Sequence, residues 1–174
     1  MQLPNPQRVL ERIIRLVKPG SWLLVEEVKL TGEVMGDAPA VRTTYELLCK
    51  AWGSNGKDVR VGEKLESWIW KTGSFSEVNV HGVIVPMGNH SSDNATKAQS
   101  HIHQQDGRLL DPKLRALGRG FTDVARLDFS TEKHRAMEAL GFTPEVKCQC
   151  VEQFSASEWW MDMRLYFVWA RKCH

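Results

Sequence analysis

The sequence predicts an α/β fold with about three strands and about six helices, and three observations predict it. Apolar residues recur at helical spacing in several segments, and continuous or alternating apolar runs stand between them. Pro-Gly or Gly punctuation separates the two kinds of pattern.

In the first element, Asn5 can cap a helix with Pro6 at its first position, and Val9, Leu10, Ile13, Ile14 and Val17 then share one face. Lys18-Pro19-Gly20 stops it. Trp22 to Val25 form an apolar run flowing into Glu26-Glu27, the pattern of a strand buried on both faces. A second helix is predicted over 41–52, from the spacing of Val41, Tyr45, Leu48 and Trp52, and a third over 62–72 with Leu65, Trp68 and Ile69 inward and Gly73 at its end. FSEVNVHGVIVP alternates as a second strand that Pro86 ends.

Residues 87–110 hold no sustained periodicity and are rich in Ser, Asn, Gln, His and Asp, so they are expected to form a long functional or disordered loop. Helical spacing returns with Leu114, Leu117, Phe121 and Val124, then with Met137 and Leu140 before Gly141. Thr143-Pro144-Glu145 opens another helix, with Val146, Cys150, Val151 and Phe154 inward. The final strand alternates Met163, Leu165, Phe167 and Trp169.

Length and composition agree with one soluble domain over 1–174, without internal repeat or linker. The chain is 42% hydrophobic and 25% charged, and its 23 Lys and Arg against 21 Asp and Glu give +2, a balance that predicts neither a nucleic-acid nor a membrane partner. The opening residues lack the basic region and apolar core of a secretory signal, and no apolar run approaches a membrane span. Four scattered cysteines suit a reducing compartment, so a cytoplasmic location is expected.

Several motifs occur in a telling order. Lys18-Pro19-Gly20 leads into the first strand; Lys71, Thr72, Gly73, Phe75 and Val78 mark the turn into the second; a hydrophobic strand ending in Arg171-Lys172 closes the chain. PMG (86–88), LRALGRG (114–120) and LGFTPEVKCQC (140–150) lie between them. The series resembles the C-terminal half of a class I S-adenosylmethionine-dependent methyltransferase, and is most similar to the fungal secondary-metabolism group of methyltransferases and methyltransferase-like regulators. Ser21 replaces a second glycine of the first motif, and Ser74 is an insertion in the second.

The resemblance implies a truncated Rossmann-like fold with strands five, seven and six in that order, the last in sequence antiparallel between its neighbours. It also implies that the donor-binding elements precede residue 1. Gly32 to Gly36 and Gly118-Arg119-Gly120 are too sparse to replace the donor loop. No cofactor is therefore expected. The strand edge left bare predicts a homodimer, or a heteromer with a methyltransferase-like chain. The function implied is a cyclase of pericyclase type acting on an apolar polyketide or terpenoid intermediate. The alternatives are a non-catalytic partner subunit of a methyltransferase or regulator, and a truncated methyltransferase remnant.

Glu26 and Glu27 end the first strand at the edge where open α/β sheets place ligands, and either could serve as a general base or simply end a solvated strand. Glu27 and His101 are the candidate catalytic pair; Glu26, Tyr45, Trp52, Trp70 and His103 are candidates for substrate contact. His101 and His103 project alike from an extended segment, but no third ligand has recognisable spacing, so no metal is expected. His81, within the second strand, reads as a hydrogen-bonded core or face residue. Cys148 and Cys150 diverge by about 200° on a helix and read as structural. Of seven tryptophans, Trp22, Trp68 and Trp169 are assigned to the core, whereas Trp70 and the pair Trp159-Trp160 are surplus that would suit a pocket or an interface.

Overall fold

The computed structural model describes residues 3–29, 32–89, 111–130 and 134–174. Their elements, in chain order, are α1 (Pro6–Leu16), β1 (Trp22–Lys29), β2 (Met35–Gly36), α2 (Pro39–Ser54), α3 (Val61–Lys71), β3 (Phe75–Asn89), α4 (Pro112–Ser130), α5 (Arg135–Glu138), α6 (Pro144–Ala156) and β4 (Trp159–Lys172). The α/β expectation holds, with six helices among the described residues. The sheet has four strands rather than three, because β2 is two residues long and too short to carry a periodic signal.

β4 is the organising strand. It pairs with β1, β2 and β3, and both β1 and β2 run antiparallel to it. The last strand in sequence thus lies between others, as expected. β3 continues past Pro86 to Asn89. Pairing with β4 alone leaves β3 at an edge, where a residue without an N–H is tolerated.

The chain forms two compact units, one of residues 1–31, 49–84 and 163–174, the other of 32–48 and 85–162. In the first, α1 and α3 cover one face of the β1–β4 pair. Leu10 and Ile14 from α1, Leu65 and Ile69 from α3, and Leu23 and Val168 from the sheet close into one core. Residues facing the other way are left to solvent: Leu24 is 77% exposed, and its neighbours Trp22 and Trp169 are 46% and 37% exposed. This corrects two expectations, that β1 is buried on both faces and that Trp22 and Trp169 belong to the core. The reason is that in a strand alternate residues face opposite ways, and the helices of this unit take only the face of Leu23 and Val168. Trp68 does pack against the core.

Asn5 does not cap α1 through its side chain; it adopts a left-handed backbone (φ 51°) and donates its own N–H to Gly56 O at 3.0 Å. At the far end of α3, Gly73 takes φ 63°, as a helix-terminating glycine should.

The second unit is built on aromatic rings. Phe129 stands 5.7 Å from Tyr45 edge-on and 5.9 Å from Phe154, which in turn meets Trp159 at 5.0 Å. Gln153 Oε1 accepts the Ala40 N–H at 2.8 Å, satisfying one of the orphan donors at the start of α2. The predicted apolar stripe of α4 is overturned here: Leu117 and Val124 are exposed, while Gly118, Thr122 and Phe129 face inward. Gly118 decides that rotation, since a Cβ there would lie 1.7 Å from Pro86 O, so only glycine lets the helix settle so close to β3. Thr122 Oγ1 completes the contact by accepting the Gly88 N–H at 2.9 Å.

Candidate functional site

The first unit holds an aliphatic pocket of about 150 Å³. Pro6, Val9, Leu10 and Ile13 come from α1, where a spacing of three and four places apolar residues along one side. β1 contributes Val25 and Glu27, alternate residues that share a face. Val61 and Leu65, one turn apart, come from the start of α3, and Leu3 lies just ahead of α1. Glu27 is the one ionisable residue in this lining.

Glu27 is half-buried, and its Oε1 accepts the Val28 N–H at 2.9 Å. Two residues on along the same face, Lys29 is bound by Glu63, which also accepts from Arg60 Nε at 2.7 Å. The Lys29 ammonium, with Arg60 assisting, holds the Glu63 carboxyl below the usual carboxylate range. A single acid among aliphatic side chains can accept a proton or pair with a positive charge.

The other predicted residues do not gather here. Glu26 points the opposite way and is exposed, the unavoidable result of strand alternation next to Glu27. Tyr45 is buried in the aromatic core of the second unit. Trp52 is half-buried with Lys57 Nζ 5.4 Å from its ring centroid, a cation–π contact at a helix end. Trp70 is exposed on α3. Of these candidates only Glu27 lines the pocket, because a pocket is made by what faces inward between elements. His101 and His103 lie outside the described residues. His81 is exposed on β3, in keeping with a strand-face residue. Cys148 is exposed and Cys150 fully buried, which suits the structural reading. Trp159 is buried while Trp160 is only half so, and the indole Nε1 of Trp160 has no acceptor among the described residues.

Sequence reasoning placed Val9 and Ile13 on the apolar face of the first helix and Leu65 on that of the third without assigning them to a pocket, and it did not single out Val61. The signal was present in α1, whose stripe continues to Ile13 on a side that the core does not fill.

Two proteins of Strobilurus tenacellus are similar to the chain. Methyltransferase str3 is 28% identical over 172 residues, which is 98% of this chain and 57% of that protein. Methyltransferase str2 is 28% identical over 137 residues, 76% of this chain and 50% of that protein. The relation is methyltransferase-like. The chain spans about half the length of these relatives. No family model matches it.

A methyltransferase relation raises the fit of S-adenosylmethionine. Of the glycines weighed against a donor loop, Gly32, Gly36 and Gly118 stand against backbone, and Gly120 is open. A Cβ at Gly32 would lie 2.6 Å from Asp162 O, one at Gly36 would lie 2.3 Å from Glu158 O, and Gly118 is closed by Pro86. These three glycines admit the close approach of neighbouring backbone. At these three glycines the described residues bring backbone to where a donor loop would need open space. Among the described residues, no group of three His, Cys, Asp or Glu could hold a metal ion, and no helix is long and apolar enough to cross a membrane.

Proposed function

We propose that the chain is a methyltransferase-like catalyst of fungal natural-product biosynthesis, acting in the cytoplasm without a methyl donor. Its reaction is a cyclisation of pericyclase type on an apolar polyketide or terpenoid intermediate. The observation that carries this reading is Glu27, one carboxylate set in an otherwise aliphatic pocket. Such a site holds part of an apolar substrate in a reactive shape by burial and offers one polar group to a developing charge. A volume of about 150 Å³ suits one ring or branch of a larger molecule, the rest lying outside. Incubating the purified chain with unsaturated polyketide and terpenoid precursors, without donor, tests the reading. Conversion that Glu27→Gln lowers supports it. Micromolar binding of S-adenosylmethionine in a calorimetric titration rejects it.

A second reading, a subunit that docks on another chain, is favoured by the exposed Trp22, Leu24 and Trp169 beside the outer edge of β1, which has no strand partner among the described residues. Of the possible occupants we favour a second copy, because a two-fold contact needs only a surface this chain already has. Light scattering showing a mass of 19.8 kDa at micromolar concentration would exclude it.

A further inference from the structure

We propose that the pocket beside Glu27 prefers a compact hydrophobic cation, a single ring or branched group of similar size bearing a protonated amine. The inference rests on the pocket reading above and narrows its substrate to an otherwise apolar intermediate that carries one protonated amine.

Size comes first. A pocket of about 150 Å³ that opens to solvent beside the exposed Leu3 and Ile13 takes in a benzene-sized group. Leu10 and Leu65 are buried and Val25 half-buried, so the walls supply burial and no hydrogen bonds.

Charge comes second. Glu27 accepts one bond from the Val28 N–H and has no cationic partner among the described residues. Lys29, two residues on along the same face, is engaged by Glu63, as is Arg60 beside Val61. A carboxylate half withdrawn from water beside aliphatic side chains is stabilised most by an opposite charge brought to it, less by a neutral donor, and is opposed by an anion. An ammonium forms a charge-assisted bond about twice as strong as a neutral one. The same carboxylate would favour a transition state that gathers positive charge above it.

Three probes of one shape separate these terms: benzylammonium, benzyl alcohol and benzoate, each titrated into the full chain and followed by NMR shifts of the Val25 and Leu65 methyl groups. Benzylammonium should bind about tenfold more tightly than benzyl alcohol, with benzoate weakest. In Glu27→Gln the ammonium should fall to within about twofold of the alcohol, while the alcohol still binds, which shows that the variant is folded and the cavity intact. Equal binding of ammonium and alcohol in the wild type, or an unchanged ratio in Glu27→Gln, overturns the charge preference and leaves the pocket reading standing. Failure of all three probes to bind overturns both.

Discussion

The ammonium of Lys172 donates to the Ile14 carbonyl at 2.7 Å, and to the Val17 carbonyl at the same distance. The penultimate segment of the chain thereby caps the end of its first helix. Ile14 lies in the last turn of α1, where its carbonyl also accepts the Val17 N–H at 3.3 Å, and Val17 is the residue just after the helix; a cation there meets the negative end of the helix dipole. Lys172→Met should cost about 1–2 kcal/mol in urea unfolding. Lys172→Arg should recover part of the loss; no loss in the methionine variant would show the cap to be inert.

Gly62 packs face to face with Tyr166. A Cβ at Gly62 would come within 2.3 Å of Tyr166 Cδ2 and 2.9 Å of Cγ, atoms too near the backbone to swing away. Glycine in a helix normally yields stability when replaced by alanine, by about 1 kcal/mol. Here overpacking should outweigh that gain, so Gly62→Ala is expected to destabilise by about 1–2 kcal/mol. Adding Tyr166→Ala to it should restore the helix benefit, measurable as a non-additive double-mutant cycle in denaturant.

Glu63 links stability to pH. Its folded pKa is depressed by Lys29 first and Arg60 second. The stabilisation is therefore present above the unfolded value of about 4.3 and is lost as pH falls through the folded value. Because the group is partly solvated, Glu63→Gln should cost no more than about 1 kcal/mol at pH 7. The gap between wild type and variant in thermal unfolding should close on acidification below the folded value. A gap that widened there would contradict the ion-pair account.

The thiols should divide by burial. Cys150 is fully buried and its pKa is pushed up to about 11 by desolvation, with the Thr44 hydroxyl pulling slightly the other way. Cys148 and Cys173 are exposed. At pH 8, a disulfide reagent should label Cys148 and Cys173 promptly and reach Cys150 only on unfolding, as mass spectrometry of peptides would report. Prompt labelling of Cys150 would mean that α6 opens locally.

Much of the fold was legible because its signals are local. The Lys18-Pro19-Gly20 stop, the Thr143-Pro144 helix start and the Gly73 helix end each act within a few residues, and the structure has all three. Thr143 Oγ1 does accept the Val146 N–H, at 3.3 Å. Glu27 was also legible as a strand-end acid, although its pocket was not. The side walls come from α1 and α3, far from it in sequence, and apolar spacing alone does not tell a filled core from a cavity.

By itself, then, the sequence determined the α/β class, the approximate spans of most helices and strands, and a carboxylate near the end of β1; the placement of the last strand between others came from the family resemblance. Only the tertiary structure decided which faces are covered. It turned Trp22, Leu24 and Trp169 outward, rotated α4 onto Gly118, put Glu27 rather than Glu26 on the face that α1 and α3 cover, and buried Tyr45 among the rings of the second unit. The physical reason is that periodicity fixes which residues share a face, whereas the choice of the face to bury depends on where the helices can pack closely, and that is settled by contacts between residues distant in the chain.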